Sequence, residues 1–196
     1  MKFFLLLLTI LVIDSNIAAQ DGFKTPLEIG TLAPSFEGID QEEQTISSTQ
    51  LLEKGPVVLI FYRGAWCPYC KKHIHELQEN LKQLTDKGAS VVVVTPEKPQ
   101  YIEKMISKTG ATFSILYDQN YSIMQAYKVD YKISTETVTK YKGFVKGYTR
   151  KHSGNKEDIL PIPATYIIRK DGIINYVHFD RDYTQRSSIE VILKHL

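Results

Sequence analysis

From Val57 the chain runs Val-Val-Leu-Ile-Phe-Tyr62 without a charged residue, directly after Gly55-Pro56. An apolar run of that length behind turn residues predicts a strand buried on both faces. At Pro68 the period changes. Cys70, Ile74, Leu77, Leu81 and Leu84 recur every three or four positions as one stripe of a helix, and Gly88 is placed to stop it. Val91 to Val94 predicts a second buried strand, followed by a helix that carries Tyr101, Ile102, Met105 and Ile106 and ends near Gly110. Phe113 to Tyr117 reads as a third strand and Tyr121 to Tyr127 as a short helix. Ala164 to Arg169 and Ile173 to Phe179 flank Lys170-Asp171-Gly172, a hairpin signal. Ser187 with Glu190 makes a capping box for a last helix that buries Ile189, Ile192, Leu193 and Leu196. The stretch from about Tyr131 to Pro161 follows neither period and reads as irregular. Alternating strands and helices followed by a hairpin and a helix predict an α/β fold, its sheet covered by helices on both faces.

The first residues have a different character. Lys2 precedes an apolar run from Phe3 to Ile13, interrupted only by Thr9. Asp14-Ser15-Asn16 then break the run before Ile17-Ala18-Ala19. Charged, apolar and small-residue regions in that order predict a secretory signal peptide over residues 1–19. Eleven residues in a helix span about 16 Å, too short for a bilayer core of about 30 Å. The expectation is therefore one domain over residues 20–196, secreted or periplasmic, with no stable membrane anchor after cleavage.

Composition changes the picture little. The chain has 196 residues, 43% hydrophobic and 23% charged, with a formal net charge of +2, which argues against disorder and against a molecule-wide field for nucleic acid. Charge is uneven locally, however. Residues 132–156 hold seven basic residues (Lys132, Lys140, Lys142, Lys146, Arg150, Lys151, Lys156) against one acid, Glu136. Tyr141, Phe144 and Tyr148 interleave with them. Such a pattern suits base stacking, but a secreted domain has little access to nucleic acid. A solvated basic insertion that contacts a protein partner or substrate accounts for the same residues, and no nucleic-acid partner is expected.

The chain has two cysteines, too few for a disulfide framework or a four-thiolate zinc site. Both lie in Trp66-Cys67-Pro68-Tyr69-Cys70, where the first buried strand gives way to a helix. Helix N-terminal amides lack partners within the helix and carry a partial positive charge, so a sulfur there gains stability as thiolate. Pro68 suits the first helical position, Cys67 and Cys70 fall on one face, and Arg63, Lys71 and Lys72 add positive charge nearby. A permanent staple is a poor use of the pair, because a loop of two residues removes little unfolded-state entropy. Metal binding would enlist His73 and His75. Residues two apart on a helix do not face each other, so both read as solvated. Pro161-Ile162-Pro163 opens a late strand, where a cis bond before Pro163 would aim backbone groups at the sulfurs.

Phe61-Tyr-Arg-Gly-Ala-Trp-Cys-Pro-Tyr-Cys70, the upstream Gly30-Thr-Leu-Ala-Pro-Ser-Phe36 and the downstream Pro163-Ala-Thr-Tyr-Ile-Ile168 together resemble the thioredoxin-fold superfamily. More narrowly they resemble its peroxiredoxin-like branch, the alkyl hydroperoxide reductase and thiol-specific antioxidant proteins. The likeness spans roughly Pro26 to Leu196. It implies a thioredoxin-like fold with a central mixed sheet, no cofactor or metal, and a Cys67/Cys70 dithiol–disulfide cycle. Its substrate would be a hydroperoxide or a disulfide, and its electron donor a thioredoxin-like protein or a small thiol. Trp66, Pro68, Pro163 and Arg63 would support the site.

Similarity to thioredoxins makes Cys67 the exposed attacking thiolate, Cys70 the resolving sulfur and Pro163 the cis-proline. Similarity to peroxiredoxins makes Cys70 the peroxide-attacking sulfur, with Arg63 at the family's proline position and Cys67 at its threonine. The arginine that family members carry before the late strand has no counterpart, and Pro163 lies near its place. Both role assignments stand at this point, beside a non-enzymatic metal-binding or disulfide-stapled domain of the same fold.

Overall fold

The computed structural model describes residues 24–133, 144–154 and 157–196. Its centre is a five-stranded mixed sheet built from β3 (Val57–Phe61), β4 (Ser90–Thr95), β5 (Ser114–Tyr117), β8 (Ala164–Ile168) and β9 (Ile174–Phe179), in the order β5-β4-β3-β8-β9. The β3–β4 and β4–β5 pairs are parallel, while β8 runs antiparallel to both β3 and β9. In β3 every residue is buried, as the unbroken apolar run requires.

Alternation along the strands sends side chains to two cores. Val58, Ile60 and Tyr62 pack with Val91 and Val93 on one face, and Val57, Leu59 and Phe61 with Val92 and Val94 on the other. The first face is covered by α2 (Pro68–Glu79), α3 (Leu81–Asp86), α4 (Pro99–Thr109) and α7 (Ile189–Lys194), through Ile74, Leu77, Leu84, Ile102, Met105 and Ile192. The second is covered by α1 (Ser48–Lys54) and α5 (Ser122–Ala126), with Leu51, Leu52, Ile123 and Met124 turned inward.

Several elements differ from the sequence expectation. The helix expected from Pro68 to near Gly88 is two helices, because Asn80 leaves helical geometry (φ −108°, ψ 9°) and its side-chain amide donates to the Glu76 carbonyl at 2.8 Å. Asparagine competes for backbone partners in this way. The apolar stripe crosses the break, so Leu84 still reaches the core. The last helix is capped one residue later than expected. Ser188 Oγ accepts from the Val191 amide at 3.3 Å, while Ser187 Oγ pairs with the Tyr176 hydroxyl at 3.1 Å.

The stretch read as irregular contains β6 (Asp130–Lys132), α6 (Phe144–Ser153) and β7 (Ile159–Pro161), with β6 and β7 paired antiparallel. The short hairpin of β1 (Glu37–Ile39) and β2 (Thr45–Ser47), with α1, shows no such period in the sequence. The expected signal segment lies outside the described residues, as do Glu136, Lys140, Tyr141, Lys142 and Lys156 of the basic stretch. Arg150 is bound twice by the Asp158 carboxylate, at 2.9 and 3.0 Å, whereas Lys132 and Lys151 are exposed. No helix among the described residues is long and apolar enough to cross a membrane.

Candidate active site

β3 ends at Phe61, and the loop Tyr62–Trp66 carries the chain to the N-terminus of α2, whose N-cap is Cys67 with Pro68 in the first turn. Two contacts fix the loop. Cys67 N–H donates to the Gly64 carbonyl at 3.0 Å, and Ala65 N–H donates to the Glu97 carboxylate at 2.6 Å. Glu97, 1% exposed at the end of β4, is itself held by His152 of α6, whose ring stacks on Tyr101 at 3.6 Å. Gly64 must be glycine. A Cβ there would stand 2.3 Å from the Trp66 ring nitrogen and 2.7 Å from the Glu97 carboxylate, at a φ of +157°. On the other side, Ala164 pairs with Phe61, which sets Pro163 beside the start of the loop.

Both sulfurs are free thiols, at 1% exposure for Cys67 and 0% for Cys70. Arg186, from the segment between β9 and α7, donates from Nη2 to Cys70 Sγ at 3.3 Å. Its Nη1 is anchored on the Tyr183 and Gln185 carbonyls at 2.7 and 2.5 Å. Burial alone would push the Cys70 thiol up. Hydrogen bonding from the Cys67 thiol, the Arg186 charge and the Arg63 backbone N–H outweigh it and bring Cys70 from 9.0 down to about 6. Cys67 moves the other way. The hydrogen bond to Cys70, burial and the charge on Cys70 raise it far above the usual thiol range, and the Cys70 backbone N–H and Arg63 oppose weakly. The two shifts run in opposite directions and favour the negative charge on Cys70 and the proton on Cys67.

The Arg63 side chain is 4% exposed and lies between two rings, 5.0 Å from the Trp66 centroid and 4.4 Å from that of Tyr183. Tyr69, 43% exposed beside the sulfurs in sequence, meets Tyr183 edge to face. Pro68 is exposed at the helix start, and Trp66 is partly buried against the first core.

Three sequence expectations are corrected here. Cys67 is buried rather than exposed, and its thiol is raised rather than lowered, unlike the exposed thiolate of the thioredoxin assignment. The bond before Pro163 is trans, like every other described peptide bond. His73 is not solvated: it is 3% exposed, and burial, the Arg186 charge and His178 lower it from 6.5 to about 3, against the Ser187 backbone. His75 is exposed as expected. A guanidinium that the sequence reading did not single out reaches Cys70 from beyond the late strand, that of Arg186, 116 residues after it. Its only trace in the sequence is Arg-Ser-Ser ahead of the last helix. Lys72 faces solvent and pairs with Glu76 at 3.6 Å. No group of three or more His, Cys, Asp or Glu among the described residues could hold a metal ion.

The model of the AhpC/TSA family aligns with residues 29–177. The chain belongs to this family. It is 28% identical over 105 residues to peroxiredoxin Bcp of Escherichia coli, a match covering 53% of this chain and 66% of that protein, just under two thirds of its length. A putative peroxiredoxin bcp of Helicobacter pylori is 28% identical over 148 residues, covering 76% of this chain and 85% of that protein. Among solved structures, a mutant of PrxQ from Xylella fastidiosa superposes with a TM-score of 0.67 at 15% identity, over 87% of this chain and 96% of that one. Peroxidoxin BcpB from Mycobacterium tuberculosis gives 0.62 at 21% identity, over 78% and 86%. These likenesses establish the thioredoxin-like fold of an AhpC/TSA protein.

Proposed function

We propose that this AhpC/TSA protein is a thiol peroxidase in which Cys70 attacks a hydroperoxide and Cys67 resolves the product. The observation that carries the reading is the hydrogen bond from Arg186 Nη2 to Cys70 Sγ at 3.3 Å, which, with the lowering of the Cys70 thiol, favours a thiolate on the second sulfur. Disulfide exchange of the thioredoxin kind needs an accessible thiolate on the first. At 0–1% exposure of the reduced sulfurs, a small hydroperoxide needs less opening to reach them than a folded disulfide partner does.

In the first step Cys70 S⁻ attacks the terminal peroxide oxygen. An S–O bond forms, the O–O bond breaks, and the leaving alkoxide takes the proton that Cys67 shares with Cys70. Cys67 S⁻ then attacks Cys70 sulfenic acid. The S–S bond forms, the S–O bond breaks, and hydroxide leaves to be protonated by solvent. Residues three apart at a helix start are near enough to bridge. A thioredoxin-type protein or small thiol would return the disulfide to the dithiol. The charged, apolar and small-residue order of residues 1–19 supports an exported protein, secreted or periplasmic.

The test is Cys67→Ser treated with one equivalent of peroxide. Mass spectrometry should find a single oxygen on Cys70, trapped for want of a resolving sulfur. No adduct, together with reduction of a disulfide substrate by the unaltered chain, would exclude the peroxidase.

A further inference from the structure

Glu97 and His152 take no part in the steps above, yet both are buried beside the dithiol loop, at 1% and 7% exposure. Removing a carboxylate from water is costly even when it is paired. Each of its oxygens has its own partner. Oε2 accepts the Ala65 N–H at 2.6 Å, and Oε1 lies 2.5 Å from His152 Nδ1. A carboxylate only accepts, so Nδ1 is the donor. The imidazole is fixed in turn. Its ring stacks on Tyr101 of α4, with centroids 3.6 Å apart and planes 10° from parallel. Its backbone carbonyl accepts from Lys98 N–H, at the N-cap of α4, at 2.9 Å. The neighbouring Ser153 carbonyl accepts from the Tyr117 hydroxyl of β5 at 3.3 Å. The end of α6 is thus docked on α4 and β5, and through the His152 side chain on Glu97.

The far side of this chain of contacts is a single peptide plane. Tyr62 N–H still pairs with the Val94 carbonyl at 3.1 Å. Beyond it the backbone leaves the sheet and turns, closed by Cys67 N–H on the Gly64 carbonyl at 3.0 Å. That carbonyl belongs to the same peptide unit as the Ala65 N–H that Glu97 holds. A peptide unit is rigid and planar, so the carboxylate that orients its N–H also aims the carbonyl on which Cys67 rests.

We propose that Glu97 and His152 are positioning residues of the dithiol: together they lock the Gly64–Ala65 peptide plane and so set Cys67 where it closes on oxidised Cys70. The inference deepens the peroxidase reading and rests on it for the step concerned, in which S–S forms, S–O breaks and hydroxide leaves. It also gives the end of the basic stretch a part in the site, since α6 carries His152 to the loop.

Two replacements separate the hydrogen bond from the packing. Full-length His152→Phe keeps a ring for Tyr101 and loses the donor to Glu97. His152→Asn loses the ring and keeps an N–H donor where Nδ1 stands. Trp66, the single tryptophan, lies against Gly64 and reports the loop by fluorescence. After mixing with hydrogen peroxide, His152→Phe should close the disulfide at least about tenfold more slowly, within the roughly hundredfold that a 1 Å misplacement costs. His152→Leu, which adds no bulk, should be slow as well, and His152→Asn should recover most of the loss. A merely structural role predicts the reverse order, because the aromatic ring restores more packing. Unchanged closure in both His152→Phe and His152→Leu, or closure slower in His152→Asn than in them, overturns the proposal.

A second measurement needs no peroxide. Equilibration with reduced and oxidised glutathione reports how well the fold holds the two sulfurs together. A tenfold loss in His152→Phe raises the potential of the Cys67–Cys70 couple by about 30 mV, and His152→Asn should restore it. An unmoved potential overturns the positioning role. If the potential moves as stated while Cys70 gains no oxygen from peroxide in Cys67→Ser, the peroxidase reading fails and the positioning of Cys67 stands.

Discussion

Replacing Arg186 by methionine removes the guanidinium from Cys70 while keeping an unbranched side chain in its place. Burial of Cys70 is unchanged by this substitution, and so are the Cys67 thiol and the Arg63 backbone N–H; only the Arg186 charge and its 3.3 Å hydrogen bond are lost. A hydrogen bond from an ionised donor contributes ~1.5–3 kcal/mol, and each ~1.4 kcal/mol moves a pKa by one. From about 6, the Cys70 midpoint should climb to about 7–8. At pH 7 the thiolate fraction then falls from about nine-tenths to between a half and a tenth, a loss of about two- to tenfold in the rate of oxidation by peroxide. Titration of the reduced protein by thiolate absorbance measures the midpoint directly, because Cys67 is held protonated throughout that range. Stopped-flow oxidation at pH 7 and pH 9 separates the two effects of the arginine. A deficit that disappears at pH 9 is ionisation; one that persists is stabilisation of the departing oxygen. A variant midpoint indistinguishable from that of the unaltered protein would refute the assignment of Arg186 to the sulfur.

The remaining predictions concern stability. Between about 6 and 9 the folded dithiol binds one proton fewer than the unfolded chain, because Cys70 is lowered from 9.0 to about 6 while Cys67 is raised. Reduced protein should therefore gain stability as pH rises through that window, by a few kcal/mol in all, and lose it above pH 9, where the unfolded chain releases both protons and the folded chain still holds one. Urea midpoints under reducing conditions, taken against Cys70→Ser, test this; parallel profiles would contradict the shared-proton description. Glu97→Ala leaves the buried Ala65 N–H and His152 without their acceptor and should cost about 1–3 kcal/mol. Glu97→Gln, which keeps an oxygen toward Ala65, should cost less. Equal losses in chemical denaturation would mean that the carboxylate fills space rather than anchoring the loop.

How far this molecule could be read from its sequence depended on whether the determining interactions were local. β3, β4 and α4 announced themselves through runs and stripes, because burial on a sheet or one helix face imposes a period that the residues must obey. Cys67 and Cys70 were legible for the same reason, being set where one period hands over to another. The β1–β2 hairpin was not, since its three-residue strands are too short to display an alternation. The break at Asn80 was hidden because the stripe continues across it. His73 misled for an equally physical reason. Its helical position says which face it occupies, but not that Arg186 and His178, 113 and 105 residues later, close over that face.

The direction of the dithiol is the strongest instance. A helix N-terminus favours a thiolate without distinguishing the N-cap sulfur from the one three residues later, so the motif alone is equally compatible with attack by Cys67 or by Cys70. Distant charge breaks the tie. Arg186 reaches Cys70, whose thiol is lowered while that of Cys67 is raised. On this argument, chemistry in such a fold is assigned by the tertiary placement of cations around a motif that is itself neutral about direction.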